Sequence, residues 1–169
     1  MRALAFLSLG SNVGEPEQNL IAALDRLYAH EQISLKDISS LYLTEPVGYR
    51  DQPWFLNCCA SVVTALTPSE LVALGKQVEM LMHRNTTVSK GPRIIDIDVL
   101  LWGEKSVQTQ SCTVPHPEML KRRFVLVPLL EIAPMLRHPS GFSIQEALSA
   151  LQGGEEVILV KKKWHRLQH

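Results

Sequence analysis

No stretch of this 169-residue chain approaches the roughly 20 consecutive apolar residues that cross a bilayer, so no membrane span is expected. Net charge is missing too: seventeen basic and seventeen acidic residues cancel. Without a global field nothing steers the chain toward nucleic acid or an acidic membrane, and any anion must be captured locally. The three cysteines, Cys58, Cys59 and Cys112, give neither an even disulfide framework nor a metal-ligand spacing. They read as small apolar residues in a reducing, cytoplasmic compartment. A glycine-rich phosphate cradle is absent: Leu9-Gly10-Ser11-Asn12 has one glycine and no Walker lysine follows, so it reads as a tight strand-to-helix turn. The start, Met1 to Leu9, superficially resembles a signal peptide, but its apolar run is short and flows into a polar helix start. It is expected to be a buried strand. No repeat, linker or low-complexity block divides the chain, and residues 1–169 are read as one domain with a core of its own.

What the chain does have is two aspartates one residue apart, in Gly91-Pro92-Arg93-Ile94-Ile95-Asp96-Ile97-Asp98-Val99-Leu100-Leu101-Trp102. Ile, Val and Leu after Gly-Pro predict a strand. Alternation then puts Asp96 and Asp98 on one face, with Ile95, Ile97, Val99 and Leu101 on the other. Two residues span roughly 6.5 Å along a strand, where two carboxylates repel by about 2.5 kcal/mol at an effective dielectric near 20. A cation between them removes that cost, and Mg²⁺ accepts one or two carboxylates while keeping phosphate and water as its other ligands. Taken alone, the pair also suits a solvated sheet edge, or a pairing with Arg93. The apolar flanks argue against the edge.

Along the chain, residues 3–9 read as a central strand covered on both faces. Pro16 opens a helix with the stripe Leu20, Leu24, Leu27 and Tyr28. Ile33 to Leu43 reads as one strand, and the segment Thr44 to Trp54, with two prolines and a glycine, as a loop. Phe55 to Leu66 is a strand. Thr67-Pro68-Ser69-Glu70 is a capping box starting a helix whose apolar side is Leu71, Leu74, Val78, Leu81 and Met82. Residues 83–92 are polar and aperiodic and read as a loop. The order βαββαβ predicts an α+β, ferredoxin-like fold, an antiparallel sheet with two helices on one face, plus a C-terminal extension. The final Lys161-Lys162-Lys163-Trp164-His165-Arg166 reads as a solvated basic tail.

Near the carboxylates, Arg93 and Arg84 offer the planar, permanent charge that phosphoryl oxygens need. As surface ion pairs they would be worth under about 1 kcal/mol. His116 is held between two prolines beside Thr113, suited to a phosphate or ribose contact. Trp54-Phe55-Leu56-Asn57 places aromatic rings beside one amide, a combination that suits a flat heterocycle: rings stack on its face and the amide reads its edge.

Leu9-Gly10-Ser11-Asn12, Thr44-x-Pro46-x-Gly48, Asp51-Gln52-Pro53 with Phe55-Leu56-Asn57, Gly91-Pro92-Arg93-x-Ile95-Asp96-x-Asp98, Val114-Pro115-His116-Pro117, Arg123-Phe124 and Pro128-Leu129-x-Glu131-Ile132-Ala133-Pro134 together resemble the 6-hydroxymethyl-7,8-dihydropterin pyrophosphokinase family. The motifs run in that family's order across residues 3–134. The resemblance implies transfer of the β,γ-pyrophosphate of ATP to a pterin hydroxymethyl group with release of AMP, a step of folate biosynthesis.

Carried over by position, the resemblance implies that Asp96 and Asp98 hold two Mg²⁺ ions brought with ATP. Arg84 and Arg93 would act on the transferring group; Lys90, Val99, Thr113, His116 and Arg122 would contact ATP. Thr44, Glu45, Val47, Phe55, Asn57 and Phe124 would line a pterin slot. Lys90 stands where many family members carry tryptophan and offers positive charge there instead. The expected partners are the two small substrates, with no nucleic acid and no membrane, and the expected state is a monomer. Two rival readings of the residues remain: another Mg²⁺-dependent nucleotidyl or glycosyl transferase using Asp-x-Asp, and a ferredoxin-like domain binding RNA or a regulatory ligand. Zero net charge and the lack of paired aromatics on a central strand count against RNA.

Overall fold

The computed structural model describes residues 1–83 and 91–168. Among them are eight strands and four helices: β1 (Ala3–Ser11), α1 (Pro16–Tyr28), β2 (Ile33–Ile38), β3 (Leu41–Thr44), β4 (Phe55–Thr64), α2 (Pro68–Met82), β5 (Asp96–Trp102), β6 (Val107–Gln108), β7 (Thr113–Val114), α3 (Arg123–Ile132), α4 (Ile144–Ala150) and β8 (Val157–Lys161). Six strands make an antiparallel sheet in the order β5-β1-β4-β3-β8, with β2 beside β3 on the same edge of β4. None of the described helices is long and apolar enough to cross a membrane.

Central β1 buries both faces, as its unbroken apolar run requires. Ala5, Leu7 and Leu9 point to the core under α1 and α2, while Phe6 joins the core under α3 and α4. The two helices expected on one face are therefore answered by a second pair on the other. α1 starts with proline in its first turn and buries Leu20, Ala23, Leu24 and Leu27. α2 starts on the complete Thr67–Glu70 capping box, which satisfies two of the backbone donors a helix start leaves open.

Four expectations need correcting. The strand expected over Ile33 to Leu43 is two strands, because Ser40 leaves the ladder: its N–H and hydroxyl both donate to the Glu131 carboxylate of α3. On β5, Leu101 sits in the α3–α4 core rather than with Ile97 and Val99. The pairing jumps from Leu7–Val99 to Phe6–Leu101, so Leu100 is an inserted residue and the alternation resets there. On α2, Leu81 faces solvent at 60 % exposure, and Gly75 takes a place in the buried stripe. The basic tail is not solvated throughout: Lys161, Lys162, Lys163 and Arg166 are exposed, but Trp164 and His165 are buried.

Candidate active site

Three adjacent strands put Asn57, Gly10 and Asp96 in one row across the sheet, with Cys59, Ser8 and Asp98 in the row two residues along β1, on the same face. Gly10 lies inside β1, not in a turn; the left-handed glycine that turns the chain is Gly14, with φ of 72°. Gly10 is required for room. A Cβ at this position would collide with the Asn57 side-chain oxygen, which lies over the bare glycine.

Asn57 is 4 % exposed, and its amide nitrogen donates to the buried Thr44 hydroxyl. These two polar groups form the floor of a pocket whose walls are Phe55, Phe124, Glu45 and Val47. All six residues assigned to a pterin slot thus meet in one place. Arg93, Arg122 and Asp96 close its far side. The walls are held from elsewhere in the chain. The Phe124 N–H donates to the Glu155 carboxylate at 2.9 Å, and the Glu45 N–H to the Glu156 carbonyl at 3.0 Å.

A second cleft adjoins the first, sharing Asp96. It is lined by Asp98, Val99, Thr113 and His116, as assigned, and by Glu79 and Lys76 of α2. Burial, and next the neighbouring Asp96 charge, push the Asp98 carboxyl up to about 7, against the pull of Arg122 and Arg93. Burial also raises Glu79 to about 7, opposed by the Ile97 N–H that it accepts at 2.7 Å. His116 is pushed down by burial and by Arg122, and is neutral at pH 7. Its Nδ1 accepts the Glu118 N–H, which leaves the proton on Nε2, 3.8 Å from an Asp98 oxygen. That distance is too long for a direct hydrogen bond.

The sequence reading missed two residues of this region. Asn12 ties the site's edges together: its amide donates to the Gln52 side chain at 2.9 Å and the Pro53 carbonyl at 2.8 Å, and its side-chain oxygen accepts the Arg93 N–H at 2.8 Å. Its place in the Leu9–Asn12 motif was the available signal. Glu79 had none, since only the packing of α2 brings it to β5. The assigned Arg84 and Lys90 lie outside the described residues. Arg122 lines the first pocket, its guanidinium 5.6 Å from the Phe124 ring centroid, while its charge also acts on Asp98 and His116 of the second cleft.

A family model for 7,8-dihydro-6-hydroxymethylpterin-pyrophosphokinase (HPPK) matches residues 6–134, and the chain belongs to that family. It is 39% identical over 163 residues to the 2-amino-4-hydroxy-6-hydroxymethyldihydropteridine pyrophosphokinase of Bacillus subtilis (strain 168), covering 96% of this chain and 93% of that protein. The enzyme of the same name from Pseudomonas aeruginosa is 39% identical over 86% of this chain and 90% of its own length. The folic acid synthesis protein fol1 of Schizosaccharomyces pombe is 40% identical over 88% of this chain, which spans only 20% of that longer protein. Among solved structures, an HPPK-DHPS in complex with substrates aligns with a TM-score of 0.69 over 89% of this chain. At 16% identity that match speaks for the fold alone, and the chain spans 44% of the larger protein.

Proposed function

We propose that this chain transfers the β,γ-pyrophosphate of ATP to 6-hydroxymethyl-7,8-dihydropterin, giving the pterin diphosphate and AMP in folate biosynthesis. The observation that carries this reading is the pair of adjoining clefts. A buried amide between aromatic walls opens, through the shared Asp96, onto a second cleft of carboxylates and a neutral histidine. Asn57 and Thr44 read the polar edge of the pterin, while Phe55 and Phe124 hold its faces. That seating points the hydroxymethyl oxygen at Asp96 and the Arg93 side, where the transferring group would lie.

The donor set fits Mg²⁺. Among the described residues no cluster of three or more His, Cys, Asp or Glu side chains is placed to hold an ion. The two half-buried carboxylates of Asp96 and Asp98 suit an ion that arrives on a triphosphate and keeps phosphate and water in most of its coordination sites. Two such ions, held by Asp96 and Asp98, would neutralise triphosphate charge and orient the phosphates for in-line attack. Arg93 and Arg122 add fixed positive charge on the pterin side, and His116 offers its Nε2 proton to a phosphate oxygen. Arg84 and Lys90 keep the phosphate-side roles that the resemblance gives them. No side chain is assigned as a general base, and rate enhancement rests on positioning and charge. The sheet order, with β5 and β1 followed by β4 and then β2 with β3, is read as the ferredoxin-like 4-1-3-2 pattern of a single domain, with β8 added by the C-terminal segment. Three free, buried cysteines suit a cytoplasmic setting.

The deciding experiment follows AMP by chromatography. AMP should form from ATP and Mg²⁺ only when hydroxymethyldihydropterin is present, in equal amount to pterin diphosphate. Pterin-independent AMP or ADP formation would overturn the reading.

A further inference from the structure

The two edges of the sheet are finished differently. At one, β5 is covered: the Leu100 carbonyl accepts the His116 N–H at 2.9 Å, and the segment holding β6 and β7 runs alongside. At the other, β8 pairs only with β3 among the described residues. Its outer edge is unpaired backbone, and the side chains of Ile158, Leu159 and Val160 beside it are 46%, 46% and 50% exposed. An exposed, aliphatic edge strand is a template for another strand, and proteins usually blunt such edges with lysine.

Here the lysines sit at one end and the acids at the other, in Glu155-Glu156-Val157-Ile158-Leu159-Val160-Lys161-Lys162-Lys163. Glu155 is occupied by the Phe124 N–H, and Lys161 by Glu17 at 3.0 Å. Glu156, Lys162 and Lys163 are exposed. A parallel neighbour, or one slipped far out of register, would set lysine against lysine. An antiparallel copy centred on Leu159 sets Glu156 against Lys162 of the partner subunit, and Ile158 against Val160 of the partner subunit. The same lysines that repel other strands therefore select this one.

We infer that the protein forms a two-fold dimer in which β8 pairs antiparallel with β8 of a second copy, continuing the sheet across the axis. This departs from the monomer expected of the sequence, where the exposure of β8 cannot be read. The register shift against β3 at Val160 shortens the regular ladder, and one strand pair falls well below the roughly 1,600 Å² of a standard stable interface. The dimer is thus weak, with a dissociation constant of roughly tens of micromolar. Asp96 and Asp98, on β5 at the far edge of the sheet, stay open in it.

Sedimentation equilibrium over roughly 1–500 μM tests this, spanning the affinity expected of a small interface. The mass should rise from 18.9 kDa toward twice that value. Glu156→Lys and Lys162→Glu, both at exposed positions, should each weaken association about tenfold, and the double variant should recover to within about threefold of wild type. Exchange of the outward-facing amides of β8, that of Leu159 foremost, should slow at high concentration in the wild type alone, while Ile158, whose N–H faces β3, changes less. A mass of one chain throughout overturns the inference. So does dimerisation of the single variants at wild-type strength, or failure of the double variant to recover while its thermal melt is unchanged. Dimerisation that leaves exchange in β8 unaltered places the interface elsewhere and overturns it too.

Discussion

At the scale of single residues, the site depends on groups held where they are uncomfortable. Asp96→Ala or Asp98→Ala relieves repulsion and should leave the fold intact while lowering turnover at least about 10³-fold. Near-normal turnover in either variant at saturating Mg²⁺ would remove these aspartates from the metal site. Asp98 also makes stability depend on pH. Its carboxyl is held at about 7 in the folded chain, against an ordinary value of 3.8. Between those values the folded state binds a proton that the unfolded state has released, so metal-free protein loses stability as pH rises through the window. Asp98→Asn should therefore be more stable than wild type at pH 8 by roughly 1–3 kcal/mol, with the difference gone below pH 4; urea melts without Mg²⁺ measure it. In the first pocket, Asn57→Ala should cost about 1–3 kcal/mol of pterin affinity with little effect on nucleotide. Gly10→Ala should reproduce that loss, because its methyl group takes the space of the Asn57 oxygen. Equal loss of both ligands would make Asn57 a structural residue.

At the scale of elements, α2 sets the position of the carboxylate strand. A Cβ at Gly75 would lie 3.3 Å from the Ile97 Cγ2, so helix and strand already touch there. One turn further on, Glu79 accepts the Ile97 N–H. Ile97 sits between the two aspartates, so whatever moves it moves both. Gly75→Leu should cost roughly 1–3 kcal/mol of stability through overpacking and raise the KM for MgATP several-fold, while the pterin KM changes less. A normal KM for MgATP in a destabilised Gly75→Leu protein would mean that β1 alone fixes β5.

At the scale of the whole molecule, the last residues close the sheet's end against the first helix. The Trp164 indole N–H donates to the Ser39 carbonyl at 2.9 Å, at the break between β2 and β3. The Gln168 amide reaches the carbonyls of Ile38, Ser39 and Lys162, each at 3.1 Å. His165 meets Asp25 of α1 at 3.1 Å. This segment supplies partners to backbone that the split strand leaves open. Trp164→Ala should cost about 3–5 kcal/mol, as for other buried tryptophans, and lower the urea midpoint accordingly. A change under about 1 kcal/mol, the size usual for surface sites, would return the segment to the solvated tail that its lysines suggest.

What the sequence determined by itself is local or ordered. The helix starts at Pro16 and Thr67, the central strand at residues 3–9, and the common face of Asp96 and Asp98 follow from capping chemistry and strand alternation, which act over a few neighbouring residues. Family membership was legible because its motifs recur in order. Tertiary structure decided everything that rests on distance through space. The inserted Leu100 turned Leu101 to the other core, and Gly10 proved to be room for Asn57 rather than a turn. Glu79 reached the carboxylates from α2, Trp164 found a buried seat, and β8 was left as an open edge. Alternation says which side chains share a face. It does not say what will cover that face, because covering is settled only when distant segments compete for the same apolar surface.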